Sequence, residues 1–147
     1  MYRSIVVGTD GSETAGEAGR QATALAKSVG ASVHLVSAYS PAPDARLRQE
    51  RQHAPEEIQW SINPREDVEE TLRQAVENVS QAGVKVETYA REGDPADAVL
   101  DVAEQKSADL VMVGNRGMTG ARRFLLGSVP NKISHHAPCS VLIVRTT

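Results

Sequence analysis

The chain has 147 residues, which suits one domain around a single core, and 24% of them are charged with a formal net charge of −3. That balance offers no broad electrostatic surface to nucleic acid or an anionic membrane, and one Phe, one Trp and three Tyr are too few for base-stacking platforms. The lone cysteine, Cys139, excludes an internal disulfide and fits a reducing compartment. No apolar stretch approaches a membrane span, and the chain enters a strand pattern at once instead of reading as a signal peptide. A soluble, cytoplasmic protein is expected.

Strands and helices alternate in the hydrophobic pattern. Ile5-Val6-Val7 is a short apolar run closed by Gly8-Thr9-Asp10-Gly11-Ser12. Helical spacing follows, with Ala18, Ala22, Leu25, Ala26 and Val29 on one face and Gly30 as the stop. Val33 to Ala38 reads as a second strand. The polar stretch from about Tyr39 to Ile62, with Pro41, Pro43 and Pro55, reads as a loop. Asn63-Pro64-Arg65-Glu66 has the signature of a helix start, an N-cap followed by proline and then glutamate at the third position. Val68, Leu72, Ala75, Val76 and Val79 form that helix's apolar stripe, and Gly83 ends it.

Val84, Val86 and Thr88 alternate with Lys85, Glu87 and Tyr89, predicting a third strand with one face partly wet. Asp94-Pro95 opens a helix with Ala96, Val99, Leu100 and Ala103 inward. Leu110 to Val113 is the fourth strand, Ser128 to His136 the last helix, and Val141 to Val144 the fifth strand.

This alternation predicts an α/β domain, a five-stranded parallel sheet with helices on both faces. The first and fourth strands are short and wholly apolar, as central strands are, whereas the amphipathic third suits an edge. The order 3-2-1-4-5 satisfies both and puts the topological switch between strands one and four. Ligands of such sheets bind outside the carboxyl ends of the strands at that switch. Strand five is uniformly apolar yet lies at an edge in this order, so a cover is expected, and a second copy of the chain is the simplest.

The loop after strand four carries Gly114, Gly117, Gly127 and Ser128 in the spacing Gly-x2-Gly-x9-Gly-Ser. Glycine lets backbone approach a ligand closely, and the helix that follows points N–H groups at an anion. Spacing alone leaves two readings, a phosphate-binding loop or a flexible turn. Asp10 likewise reads as a ligand contact or as an Asx turn and cap. Ser128 can cap its helix and meet a phosphate at once. His135 and His136 sit where a helix C-terminus favours cations, without metal-ligand spacing. Cys139 reads as a small buried apolar residue.

Three segments carry a resemblance: Asp109-Leu110-Val111-Met112-Val113-Gly114-Asn115-Arg116-Gly117, Leu125-Leu126-Gly127-Ser128-Val129, and His136-Ala137-Pro138-Cys139-Ser140-Val141-Leu142-Ile143-Val144. Together with Ile5-Val6-Val7-Gly8-Thr9-Asp10-Gly11-Ser12, they resemble the universal stress protein family. The resemblance spans the whole chain as one domain, 1–147, apart from a variable loop at about 40–62. It implies a three-layer Rossmann-like domain that dimerises through the C-terminal strand, 140–144.

Members of this family with the glycine motif bind ATP or related adenine nucleotides, and cyclic AMP and AMP are alternatives. Carried over by position, Asp10 would touch the nucleoside and the backbone at Ala38 the adenine edge. Gly114 and Gly117 would lie along ribose and phosphates, with Gly127 and Ser128 at the terminal phosphates. Thr9, Arg116 and Val129, beside these positions, complete the candidate set. Pro130 departs from the Ser or Ala of many relatives and removes a backbone donor from the helix's first turn.

The reading is of a nucleotide-binding stress-response module with unidentified protein partners. The chain lacks the Gly-x4-Gly-Lys-Ser/Thr loop that would place a lysine on a transferred phosphate, so slow ATP hydrolysis is the most that is expected. Whether Mg²⁺ accompanies the nucleotide stays open.

Overall fold

The computed structural model describes residues 2–10, 13–39, 65–115 and 128–145. The expected variable loop, the Asn63-Pro64 helix start, Ser12, and the glycine-loop positions Arg116, Gly117 and Gly127 lie outside the described residues.

Five strands, β1 (Ser4–Gly8), β2 (Ser32–Tyr39), β3 (Val86–Glu92), β4 (Leu110–Gly114) and β5 (Ser140–Val144), pair in parallel in the order β3-β2-β1-β4-β5. This is the order read from the sequence. Four helices, α1 (Glu13–Val29), α2 (Arg65–Gln81), α3 (Pro95–Gln105) and α4 (Ser128–His136), cover the two faces. Strand alternation divides the core accordingly. Ile5, Val7, Leu35, Leu110 and Met112 join α1 and α2 on one face, and Val6, Val36, Val111 and Val113 join α3 and Ile133 of α4 on the other.

β1 and β4 sit at the centre because they have no polar side to wet. Ile5, Val6, Val7 and Val111 are fully buried, each such side chain contributing roughly 1.5–3 kcal/mol by leaving water. At the amino ends of these strands the Asp109 carboxylate accepts from the backbone N–H of Arg3 (2.8 Å) and of Ser4 (3.2 Å). This fixes the register Ile5 to Leu110 and Val7 to Met112, and so fixes what meets at the other end.

Two differences from the sequence reading have physical causes. Val29 is 42% exposed although its spacing puts it on the apolar stripe of α1. Gly30 (φ 73°) ends that helix in a Schellman turn, in which the Ala31 N–H donates to the Ala26 carbonyl at 2.9 Å. In such a turn the residue after the glycine folds back on the core. Ala31 is therefore buried and Val29, the last helical residue, overhangs it. β3 begins at Val86, not Val84, because Val84 is spent as a buried plug after the Gly83 turn (φ 79°). Leu100, partly buried, packs against the same core cluster as Ala96, Val99 and Ala103, as its spacing implies.

Candidate functional site

β1 and β4 are neighbours whose chains leave in opposite directions, β1 toward β2 and β4 toward β5, so a crevice forms at their carboxyl ends. Gly8 ends β1 opposite Val36 of β2. A Cβ at Gly8 would lie 3.1 Å from Val99 Cγ2 on α3 and 3.5 Å from Val113 Cγ1 on β4. Glycine here lets α3 close against the sheet directly below the crevice. The next residue, Thr9, donates its backbone N–H to the Val36 carbonyl at 2.9 Å, which draws the β1 loop toward β2. Asp10 follows, partly buried. Ala38, 6% exposed, lies two residues beyond Val36 and on the same sheet face.

On the other side of the switch Gly114 ends β4 in register with Val144, and the Asn115 N–H donates to the Val144 carbonyl at 2.9 Å. The chain thus leaves β4 pinned toward β5, one strand over from Thr9. α4 must run back from the carboxyl end of β4 to the amino end of the parallel β5, so its N-terminus lies at the crevice end of the sheet.

Ser128 is the first helical residue and exposed, Val129 is half-buried, and Pro130 and Ile133 are buried. Pro130 falls in the first turn, where a backbone N–H has no partner within the helix, so it costs the helix no hydrogen bond. The N–H groups of Ser128 and Val129 remain at the positive end of the helix dipole, with no acidic residue in the first turn to occupy it.

The structure therefore gathers Thr9, Asp10, Ala38 and Gly114 at the carboxyl ends of β1, β2 and β4, with Ser128 and Val129 at the helix start on the same end. Arg116, Gly117 and Gly127 lie outside the described residues.

One linkage at this end had no sequence signal. Lys132, one turn below Ser128, reaches Asp97 at 2.8 Å and Asp94 at 3.5 Å, at the start of α3. The Asp97 hydrogen bond holds its ammonium above the usual lysine range. Asp94 itself caps α3, accepting the Asp97 N–H at 3.0 Å with Pro95 at the first helical position. The i, i+4 spacing of Ser128 and Lys132 is visible in the sequence, but the meeting depends on how α3 packs against α4. Further from the crevice, Cys139 is partly and not wholly buried, and burial, with Asp109 adding, pushes its thiol up. His135 and His136 close α4 and are exposed. No described helix is long and apolar enough to cross a membrane.

The model of the universal stress protein family matches residues 1–145. Universal stress protein Rv1636 of Mycobacterium tuberculosis is 36% identical over 148 residues, covering 99% of this chain and 98% of its own. Universal stress protein MJ0531 of Methanocaldococcus jannaschii is 34% identical over 148 residues, covering 99% of this chain and 83% of its own. Among solved structures, a universal stress protein in complex with cAMP superposes with a TM-score of 0.72 at 31% identity, covering 99% and 98% of the two chains. The family model and these relatives cover nearly the whole chain, which belongs to the universal stress protein family.

Proposed function

We propose that this chain is an adenine-nucleotide-binding universal stress protein, a regulatory module whose ligand state is read by other proteins, with ATP the principal ligand. The observation that carries the reading is the convergence of the Thr9-Asp10 loop and Gly114 on the two sides of the switch, at the end of the sheet where α4 starts. In this reading Asp10 meets the nucleoside and the Ala38 backbone the adenine edge. Gly114, Arg116 and Gly117 follow ribose and phosphates, and Gly127, Ser128 and Val129 hold the terminal phosphates through backbone N–H groups. The relative solved with cAMP favours cyclic AMP as a second ligand. Binding without efficient turnover fits the missing phosphate-loop lysine.

A homodimer through β5 belongs to the same proposal. Leu142 and Ile143 are each 37% exposed, on opposite faces of an edge strand whose outer hydrogen-bonding groups face outward. Leu142→Glu with Ile143→Glu is expected to give a monomer by sedimentation at micromolar concentration, where the parent chain sediments as a dimer. A monomeric parent would remove this part of the proposal.

The ligand itself is tested by gentle purification, release of any bound small molecule and its identification by mass spectrometry. Calorimetric titration with ATP, AMP and cAMP follows. An adenine nucleotide carried through purification, or saturable heat with one of the three, is the expected result. No released nucleotide and no heat with any of them would sink the reading.

A further inference from the structure

β2 buries two polar side chains, Ser37 and His34, of which His34 is titratable. His34 is 7% exposed, on the sheet face shared with Val36 and Ala38, and its Nδ1 lies 3.0 Å from the Tyr89 hydroxyl. Tyr89 donates its single proton to Glu87 Oε2 at 2.6 Å. A hydroxyl whose proton is committed can only accept from the imidazole, so Nδ1 carries the hydrogen of neutral His34 and Nε2 is bare. The relay runs one way, from His34 to Tyr89 to the Glu87 carboxylate, which its bond to Tyr89 keeps below the usual carboxylate range.

Every element packed on His34 contributes to its electrostatic setting. β1 offers Val6, in register with it and uncharged. β3 offers Glu87, directly paired with His34, and Arg91, whose guanidinium lies 5.6 Å from the Tyr89 ring centre and donates to Gln105 at 2.9 Å. The C-cap of α3 offers Lys106, whose ammonium stands 5.5 Å from the same ring centre. One cation, Lys106, and one carboxylate, Glu87, therefore act on the buried imidazole with opposite sign, while Arg91 stands over the Tyr89 ring. Burial disfavours its charged form most, Lys106 adds to that, and Glu87 opposes it.

We propose that His34, Tyr89 and Glu87 form a proton-operated latch between β2 and the edge strand β3. With His34 neutral the relay is closed. A second proton, taken at Nε2, puts a positive charge on a buried ring that already feels the Lys106 ammonium. Local opening that wets the ring then becomes easier, releasing β3 and the last turn of α3 first. β3 is suited to this because its outer edge has no described strand beside it and it joins the sheet through β2 alone. A latch of this kind makes the β3 margin of the domain responsive to acidification while the central strands stay closed.

Imidazole NMR and amide exchange on the intact protein test the latch. His34 is expected to titrate below the ordinary histidine range, and Lys106→Gln, a change at an exposed side chain, moves its midpoint upward. Protection factors of β3 amides fall roughly twofold or more relative to β4 amides between about pH 7.5 and about pH 5.5. In His34→Asn, whose amide can donate to Tyr89 without titrating, that fall is absent. A His34 midpoint at or above the ordinary value and unmoved by Lys106→Gln would overturn the latch, and so would an equal loss of β3 protection in the parent and His34→Asn.

Discussion

Gly8 is the position where packing below the crevice is most easily tested. In Gly8→Ala the new methyl sits 3.1 Å from Val99 Cγ2 and 3.5 Å from Val113 Cγ1. The second distance is ordinary contact, whereas the first requires Val99 to retreat by a few tenths of an ångström. Val99 and Val113 are 3% and 4% exposed, and valine is stiff at χ1, so neither yields freely. Overpacking of this kind costs about 1–3 kcal/mol, partly offset by about 0.4–1 kcal/mol from the less flexible unfolded chain. The net expectation is a loss of about 1 kcal/mol.

Val99→Ala alone should cost about 2 kcal/mol by deleting two buried methyls. In the double variant the methyl added at position 8 enters the vacated space, so the total should stay near 2 kcal/mol instead of the roughly 3 kcal/mol of simple addition. Urea unfolding followed by circular dichroism gives all four corners of the cycle. Additive losses would show that Gly8 and Val99 do not meet as described, and with that the account of how α3 closes under the crevice fails.

At the start of α3 the cap should outweigh the shorter ion pair. Asp94→Ala removes the acceptor for the Asp97 N–H and is expected to cost about 1 kcal/mol, whereas Asp97→Ala loses a solvent-screened pair with Lys132 and a first-turn carboxylate and is expected to cost clearly less; equal losses in urea unfolding would contradict that ranking. Ser107 ends α3 in the left-handed region (φ 49°) without being glycine, so Ser107→Gly should stabilise by about 0.5–1 kcal/mol and raise Tm by about 2 °C, and a lowered Tm would contradict it. Burial, with the Glu87 bond second, pushes the Tyr89 hydroxyl up to about 12 from the ordinary 10.0. The folded state thus holds this proton more tightly than the unfolded chain. Its contribution is intact below about pH 10 and is lost as the pH rises toward 12, so Tyr89→Phe should flatten the alkaline limb of the stability profile.

Most of the fold was legible because its signals are local. β1 and β4 announce themselves as unbroken apolar runs, Asp94-Pro95 opens α3 as its chemistry requires, and Gly30 and Gly83 sit at positive φ where helices stop. What escaped depends on where a turn sends the next residue. Val29 had the right angular position on α1, but the Schellman turn gave its place in the core to Ala31. α3 ends in the same way, with the Ala108 N–H donating to the Ala103 carbonyl at 2.9 Å, yet Ser107 stands where a glycine would have marked the stop.

Around the crevice, the switch between β1 and β4 was legible, because strand order follows from which strands can tolerate water. His34 could not be singled out inside β2. Its partners Tyr89 and Glu87 lie more than fifty positions away and meet it only through the β2–β3 register.

The most direct test of the central claim is calorimetric titration of ATP into the parent chain and Gly114→Ala, repeated with cAMP. Gly114 ends β4 at the crevice, and a methyl there would stand where the backbone is proposed to approach ribose and phosphate. A nucleotide site at this position predicts saturable binding of an adenine nucleotide by the parent and affinity at least about tenfold weaker in the variant, or about 1.4 kcal/mol. Equal affinity in both, with the variant folded, would contradict an adenine-nucleotide site at this end of the sheet.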